Sequence, residues 1–228
     1  MKRFAILALA LSSVAAQAVV VFDSIGAGTA FGTTTGGLPR NRMAEDVASM
    51  LDPGTGNHWL VRSIDVSIWV QSGTPTNVTA EVILWNSWNG AGHSGAGTNV
   101  FANEAGRETF NLGDLTGAGV RTLTFTNGIH LSAFTNVGVE IQLKTNGTKS
   151  DTLALSLQDA APTVGTSNNA FYRDADNDEV IETTDGRVIS GWTNTNTMMR
   201  IHADAVPEPA TMAALGLGTL ALLRRRRK

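Results

Sequence analysis

Apolar and polar residues alternate along two long stretches of the chain, Trp59–Gln71 and Val78–Trp85. A period of two places successive side chains on opposite faces, so each stretch is predicted to be a half-buried β-strand. Gly73 and Pro75 lie between the stretches and indicate a turn. The two strands are therefore predicted to pair in antiparallel fashion.

Shorter stretches with the same alternation predict further strands, and Asn146-Gly147 predicts a hairpin turn. The further strands are Val19–Asp23, Arg107–Leu112, Arg121–Phe125, Val137–Leu143, Leu153–Gln158 and Met199–Ala203. Met43–Leu51 lacks this pattern and is predicted to form one or two helical turns that end at Asp52-Pro53-Gly54.

The order of these elements predicts the fold class. The body of the chain shows no sustained period of 3.6 and no repeat unit, which disfavours a β-helix or a propeller. Short strands separated by Gly, Asn and Thr favour a β-sandwich or a jelly roll. We therefore predict an all-β protein with a single, jelly-roll-like β-sandwich at residues 19–205, a length that fits one domain.

The first 18 residues have the three parts of a secretory signal peptide. Lys2 and Arg3 form a charged start, Phe4–Val14 forms an apolar core, and Ala16-Gln17-Ala18 forms a small-residue cleavage site. The protein is therefore predicted to be exported and to be cut by signal peptidase.

Residues 206–228 also fall into three parts. Pro207, Glu208 and Pro209 come first, an apolar run from Ala210 to Leu223 follows, and the cations Arg224, Arg225, Arg226, Arg227 and Lys228 come last. The apolar run has 14 residues, or about 21 Å as a helix, and about 20 residues normally cross a bilayer. It is therefore predicted to be a short, transient transmembrane helix with its cations on the cytoplasmic side and the body outside.

The Pro-Glu-Pro motif, the Ala/Leu/Gly-rich run and the terminal Arg cluster together resemble the PEP-CTERM sorting signal of Gram-negative bacteria. The resemblance covers only the last 23 or so residues. It implies recognition by an exosortase, a membrane-embedded cysteine transpeptidase-like enzyme, with removal of the tail near the Pro-Glu-Pro. It also implies a surface or extracellular-matrix protein of a bacterium that makes exopolysaccharide, but nothing about the activity of the body.

Charge and cysteine content exclude several classes of function. Residues 19–206 contain 10 basic and 19 acidic residues, a net charge of −9, which argues against nucleic-acid binding because that needs clustered Lys and Arg. The chain has no cysteine, so disulfides, thiol nucleophiles and Cys-type zinc sites are excluded. Stability must come from the hydrophobic core, with a metal ion as the remaining cross-link.

An acidic stretch is the predicted metal site. Its candidate ligands are Asp174, Asp176, Asp178, the carbonyl of Val180, Glu182 and Asp185. This spacing resembles a DxDxD calcium loop, and its hard oxygen ligands suit a structural Ca²⁺. Glu179 stands where such loops have glycine, and no flanking helix pair is evident, so this is not an ordinary EF-hand. The alternative is a solvated acidic loop without a metal.

Tryptophan rings are the candidate stacking faces for sugars. The four candidates are Trp69, Trp85, Trp88 and Trp192. Trp69 and Trp85 fall on the polar-facing side of the two strands predicted to pair, so they are expected to be neighbours on a carbohydrate-binding face. The favoured interpretation instead buries the tryptophans in the core against a second sheet, because a sandwich buries at least one aromatic residue per sheet.

Catalytic motifs are not evident, and the protein is predicted not to be an enzyme. The histidines His58, His93, His130 and His202 show no HExxH or HxH spacing, and no G-x-S-x-G elbow is present. Strand carboxylates such as Glu81 and Glu140 are candidates for a glycosidase pair. That signal is weak because any β-sandwich offers such pairs.

These features predict an exported, exosortase-processed protein of the cell surface or extracellular matrix, transiently anchored in the inner membrane. A structural or adhesive role in an exopolysaccharide or biofilm matrix is the first interpretation. A carbohydrate-binding module is the alternative, and a secreted glycoside hydrolase or lyase is the third.

Overall fold

The computed structural model describes residues 18–26, 30–32, 42–88, 101–149, 152–174, 180–181, 185–187 and 193–207. Fourteen β-strands lie in these ranges. They are β1 (Val19–Asp23), β2 (Ala30–Gly32), β3 (Arg42–Ser49), β4 (Asn57–Val70), β5 (Val78–Trp88), β6 (Phe101–Gly113), β7 (Gly119–Leu131), β8 (Thr135–Thr145), β9 (Thr148–Lys149), β10 (Leu153–Gln158), β11 (Thr166–Arg173), β12 (Gly186–Arg187), β13 (Asn196–Thr197) and β14 (Met199–Pro207).

The strands form two antiparallel sheets. In the first sheet, β14 lies between β1 and β4, and β7 pairs with the other edge of β4. β10 pairs with the C-terminal end of β4, and β2 and β13 pair with β10. The order of the second sheet is β12-β11-β3-β8-β5-β6, with β9 added to β8. The predicted β-sandwich is confirmed. The predicted sorting helix and residues 1–17 of the predicted signal peptide lie outside the described residues.

One hydrophobic core lies between the two sheets. The first sheet contributes Ile64 and Val66 from β4, and the second contributes Val82 from β5 with Val139 and Ile141 from β8. All five side chains are at most 1% exposed. Because full burial of such a side chain stabilises the fold by about 1.5–3 kcal/mol, packing between the sheets is the main source of stability.

Most strands with a clear alternation lie where the pattern predicts them. The Asn146-Gly147 turn is also confirmed, since it joins β8 to β9 with φ angles of 50° and 73°. Both values lie in the left-handed region that a two-residue type I′ turn requires. The short strands β2, β9, β12 and β13 and the longer strand β11 were not predicted, because they carry little alternation.

The predicted pairing of the Trp59–Gln71 and Val78–Trp85 segments is wrong. The first segment forms β4, which pairs with β14, β7 and β10 in the first sheet. The second forms β5, which pairs with β6 and β8 in the second sheet. Residues 71–77 therefore cross between the sheets. Alternation identifies the buried face of each strand but not its partner, and both arrangements bury the same residues.

The prediction of helical turns at Met43–Leu51 is also wrong, because this segment forms β3 between β11 and β8. Met43 and Val47 pack in the core between the sheets. Ala44, on the opposite face, packs with Tyr172 and Ile181. Each face of β3 combines apolar residues with a buried carboxylate, Glu45 on one face and Asp46 on the other. Apolar and polar residues therefore do not alternate, and the period-two signal is lost.

A buried carboxylate of β3 connects the two sheets. Glu45 is 0% exposed and accepts hydrogen bonds from the Thr197 backbone N–H and hydroxyl, both at 2.8 Å, and from the Ser167 hydroxyl at 2.8 Å. Thr197 belongs to the first sheet, whereas Ser167 and Glu45 belong to the second. Burial raises the pKa of Glu45 well above its usual range, and the neighbouring charge of Asp46 raises it further, although these three hydrogen bonds oppose the rise.

The raised pKa of Glu45 predicts a pH-dependent stability. A carboxyl whose pKa is raised on folding contributes stability that is complete below its unfolded pKa, near 4.5, and is lost as the pH rises through its folded pKa. Glu45→Gln keeps an acceptor for Thr197 and removes the titration. As the pH rises, we expect the melting temperature of Glu45→Gln to increase by several degrees relative to that of the wild type. A change of 1 kcal/mol in stability shifts the melting temperature of a domain of this size by about 2–4 °C.

Thermal unfolding at a series of pH values from 4 to 9 measures this difference. The control is Glu108→Gln on β6, which removes a carboxylate outside the core. If the difference in melting temperature between the wild type and Glu45→Gln stays constant across the pH range, the pKa of Glu45 does not change on folding.

Candidate functional site

A small pocket lies on the outer face of the second sheet, away from the core. Its volume is about 180 Å³. It is lined by Arg42, Ile83, Trp85, Arg107, Glu140, Val180 and Ile181. The first five come from β3, β5, β6 and β8, and the last two come from the acidic stretch that the sequence singled out.

Strand register explains why these side chains meet. Ile83 lies opposite Glu140 of β8 on one side and opposite Arg107 of β6 on the other. Opposed residues of neighbouring strands share a face of the sheet. Trp85 follows two positions after Ile83 on β5 and therefore shares that face. The pocket floor is thus a row of side chains that runs across three strands.

An ion-pair chain runs across the pocket. Arg42 lies 2.9 Å from Glu140 and 3.9 Å from Glu81, and Arg107 lies 3.6 Å from Glu81. Arg107 also forms a two-pronged contact with Glu104. Two guanidinium groups therefore alternate with three carboxylates, so the pocket presents fixed polar groups of both signs without a dominant charge.

Glu140 is the most buried charged group of the pocket, at 2% exposure. Its Oε1 faces Arg42, and its Oε2 accepts a hydrogen bond from the Trp85 indole N–H at 3.0 Å. Burial raises the pKa of Glu140, while Arg42, the Trp85 hydrogen bond and Arg107 oppose the rise and Glu81 adds to it. The same carboxylate thus fixes the orientation of the Trp85 ring at the pocket wall.

The acidic stretch borders this pocket. Ile181 is 2% exposed and packs with Ala44 and Tyr172, and Trp85 packs against the same cluster. Asp174 and Asp185 are also buried, at 2% and 6% exposure. Through Val180 and Ile181, the stretch therefore contacts the outer face of the second sheet at the pocket.

Three of the six predicted calcium ligands lie outside the part of the chain that the structure describes. Asp174, Val180 and Asp185 are described, whereas Asp176, Asp178 and Glu182 are not. Among the described residues, no three His, Asp or Glu side chains converge on one point. Buried carboxylates at both ends of the segment are the hard oxygen donors that Ca²⁺ prefers, so the described ligands fit the ion in type.

Trp69 and Trp85, the two tryptophans that were predicted to be neighbours, lie on different sheets. Trp69 is half-buried on the outer face of the first sheet, and Trp85 lies on the outer face of the second, so the expectation that they are neighbours is wrong. They cannot meet because β4 and β5 belong to different sheets. Trp59 lies in the core and donates its indole N–H to the Leu51 carbonyl at 2.8 Å. The side chain of Trp88 and all of Trp192 lie outside the described residues.

The C-terminal end of the body is a paired strand. Ala205, Val206 and Pro207 of β14 lie opposite Trp59, His58 and Asn57 of β4. Pro207 is the last residue of β14. Proline is tolerated at this position because a strand end does not require its missing N–H. The remaining motif residues, Glu208, Pro209 and the four arginines, lie outside the described part of the chain.

Residues 205–228 match the family model of the PEP-CTERM protein-sorting motif. The chain carries a PEP-CTERM sorting signal. The signal indicates an exported protein that an exosortase processes, as the tail sequence predicted. Searches among curated proteins and among solved structures found no match for the chain.

The sorting signal overlaps the sandwich by three residues, because the match begins at Ala205 and β14 ends at Pro207. The described residues contain no helix that is long and apolar enough to cross a membrane. The apolar run that was predicted to be a transmembrane helix, Ala210–Leu223, lies outside those residues.

A second polar network lies on the outer face of the first sheet. Asp65 accepts hydrogen bonds from the Thr122 hydroxyl at 2.6 Å and lies 2.9 Å from His202 Nε2, and Arg200 donates to Asp23 at 2.9 Å. Burial would raise the pKa of Asp65, but these two hydrogen bonds and the charges of His202 and Arg200 lower it overall. The network connects β1, β14, β4 and β7, and both Asp65 oxygens are engaged, so its role is structural.

The structure also brings together two histidines that are 72 positions apart in the sequence. His58 Nε2 lies 2.7 Å from His130 Nδ1, between β4 and β7. Within the described residues, no third His, Asp or Glu joins this pair to form a metal site. The contact lies beside the end of β14, since His58 is opposite Val206.

Sequence reasoning missed the arginines of the pocket. Arg42 was placed outside any strand, and Arg107 was treated as an ordinary strand residue. Glu81 and Glu140 were named only as generic strand carboxylates, yet both contact Arg42. No local spacing links these residues, because strand pairing alone brings β3, β5, β6 and β8 together.

Calcium binding by the 174–185 stretch is tested with the purified, chelator-treated protein. We expect heat of binding on titration with Ca²⁺. At about 100-fold excess over the dissociation constant, binding stabilises by about 2.7 kcal/mol, which corresponds to a rise of roughly 5–10 °C in melting temperature. Asp174→Asn is expected to remove most of both signals.

The control for this prediction is Asp114→Asn, at an exposed carboxylate whose oxygen accepts a hydrogen bond from the Asn77 N–H. This variant should respond to Ca²⁺ as the wild type does. An absence of both heat and melting shift in the wild type would reduce the stretch to a solvated acidic loop.

Proposed function

We propose that this protein is a non-catalytic component of the cell surface or extracellular matrix of an exopolysaccharide-producing Gram-negative bacterium, with a structural or adhesive role. Signal peptidase removes residues 1–18, the C-terminal apolar run holds the chain in the inner membrane for a time, and an exosortase then cuts near Pro207-Glu208-Pro209. A structural Ca²⁺ at the 174–185 stretch completes the fold.

The observation that carries the proposal is the direct connection between the sorting signal and the sandwich. β14 is part of the first sheet, and it passes into the sorting signal without a linker. A signal joined in this way serves to deliver this sandwich to the surface. The acidic body, with a net charge of −9, also suits a solvated matrix protein that interacts with divalent cations.

Removal of the tail tests the sorting part of this proposal. In cells that contain the exosortase, we expect the wild type to appear as a shortened form in the surface or matrix fraction. A chain without residues 208–228 should not be shortened at the C-terminus and should be lost from that fraction, because it lacks both the membrane segment and the cut site. Immunoblots of cell fractions measure both outcomes.

A second variant separates the cations from the apolar run. Replacement of Arg224, Arg225, Arg226 and Arg227 by Gln should weaken membrane retention of the precursor, because these charges hold the cytoplasmic end. The control removes two cations of the body, Lys144→Gln with Lys149→Gln. Normal surface delivery of the tail-less chain would contradict the proposal.

Carbohydrate binding at the pocket is the second candidate function, and a specific arrangement favours it. Trp85 is half-buried at the pocket wall, and Glu140 and Arg42 beside it are fixed in an ion pair. An aromatic face with fixed donors and acceptors of both signs suits a ring that carries hydroxyl groups. The volume of about 180 Å³ is below the ~300–1,000 Å³ of common ligand pockets, so it suits one sugar ring rather than a longer segment.

Hydrolysis at the same pocket is less favoured by its geometry. Glu81 and Glu140 both contact Arg42, and Glu81 also contacts Arg107. A glycosidase needs one carboxyl that donates a proton and another that acts as base or nucleophile. Here both groups are held by guanidinium partners, which suits fixed recognition better than proton transfer.

Glycan binding is tested by affinity electrophoresis in gels that contain the exopolysaccharide of the producing cell. Trp85→Ala is expected to weaken binding about tenfold, since a lost stacking contact of about 1–2 kcal/mol has this effect on Kd. Trp69→Ala is the matched control, because Trp69 is also half-buried but lies on the opposite face of the sandwich. Melting curves of both variants report on folding.

The outcomes separate the candidates. An equal loss of binding in both variants, or no loss in either, would exclude this pocket as the glycan site. Release of reducing ends by the wild type, abolished in Glu140→Gln, would favour a hydrolase over a binding module.

A further inference from the structure

The last residues of β14 are held on one side. β1 pairs with β14 as far as the pair Val19–Ala203. Beyond Ala203, among the described residues, only β4 pairs with β14, through Asn57 to Leu60. Within the described part of the chain, the last four residues of β14 are therefore paired on one side, by β4 alone.

A firm contact marks the boundary of this edge. Asp204 is 7% exposed, and its Oδ2 accepts a hydrogen bond from Arg62 Nε at 2.6 Å. After it, Ala205 and Pro207 are exposed and Val206 is half-buried, and Pro207 has no N–H to donate to a neighbour. Asp204 is thus held by a side-chain contact as well as by β4, whereas Ala205–Pro207 pair with β4 on one side. The sorting signal begins at Ala205 as well.

The distance to the membrane segment is short. Only Glu208 and Pro209 separate Pro207 from the apolar run that starts at Ala210. An extended chain spans at most about 3.5 Å per residue, so this gap is about 10 Å. A membrane-embedded enzyme would have to reach Pro-Glu-Pro with the folded sandwich directly above it. Release of three further residues from β4 would double the gap.

We propose that the exosortase binds Ala205–Pro207 as an extended strand, after these residues have left β4. The segment exchanges its pairing with β4 for contacts with the enzyme, a mode by which many proteins bind extended peptides. The Asp204–Arg62 contact and the two-sided pairing before it keep the rest of β14 in the sheet. The recognised substrate is therefore longer than the Pro-Glu-Pro motif and includes a strand of the folded body. The proposal rests on exosortase processing of the tail.

A disulfide that fastens the end of β14 to β4 tests this inference. Val206 and His58 are opposed, and opposed cross-strand residues have Cβ atoms about 4.5–5.5 Å apart, close to what a disulfide requires. The chain has no other cysteine, so His58→Cys with Val206→Cys can form one bond only. In cells that contain the exosortase, we expect the precursor of this variant to accumulate, with processing at least tenfold slower than in the wild type.

Two controls isolate the effect of the bond. Thr79→Cys with Lys144→Cys places a disulfide between the opposed strands β5 and β8 of the second sheet, and this variant should be processed normally. The second control is His58→Cys alone, which removes the contact with His130 without forming the disulfide. Formation of the designed disulfide, detected by a gel shift after thiol alkylation, shows that β4 and β14 are paired as in the native fold.

An insertion provides the decisive comparison. Gly-Ser-Gly-Ser between Val206 and Pro207 of the disulfide variant leaves Pro-Glu-Pro intact and lengthens the free chain after the bond. Because the bond still holds Ala205 and Val206 on β4, processing of this variant should stay blocked and should recover only when reductant is added to isolated membranes. Normal processing of the disulfide variant, with or without the insertion, or a block that reductant does not relieve, would overturn the proposal. An unprocessed wild type would overturn the sorting assignment itself.

Discussion

The second sheet is buried on both faces where β3 and β11 pair, and much of the molecule depends on this constraint. Tyr172 of β11 is fully buried on the outer face, although no second sheet covers it, and Ala44 of β3 lies beside it. Ile181 supplies the cover. Trp85 packs against the same cluster, and the pocket lies beside it, between Ile181 and the Arg107 side of the sheet. Among the described residues, the pocket thus borders the apolar cover of a sheet that is buried on both faces.

Burial on both faces also explains the polar links inside the sandwich. A chain without cysteine must fix the relative position of its sheets by packing and hydrogen bonds. Glu45 does this from inside the core, where it connects β3 to Thr197 and Ser167. A buried carboxyl costs free energy when charged, and the raised pKa of Glu45 reflects that cost. In return, the hydrogen bonds to Thr197 fix the position at which β14 starts, because Thr197 precedes this last strand.

Sequence reasoning succeeded where the determining residues are contiguous. Alternation at Ile64–Val70 and Val137–Leu143 predicted strands, and the tail predicted its own sorting role, because each pattern is local. Reasoning failed at β3, where each face carries both apolar residues and a buried carboxylate, and at the pairing of β4 with β5, because period two does not specify a partner. The pocket could not be predicted for the same reason: Arg42 and Glu140 are far apart in the sequence and meet only through the β3–β8 register.

The sandwich and the sorting signal share residues, and this overlap constrains both. Were the signal on a flexible linker, the body could change without effect on processing. Here the register of β14 on β4, which Thr197 and the Asp204–Arg62 contact help to fix, determines how far Pro207 extends from the fold. Substitutions in the core that shift β14 would therefore shift the start of the sorting signal as well. If the exosortase binds the end of β14 as proposed, the stability of the last strand and the efficiency of processing are coupled through the same backbone.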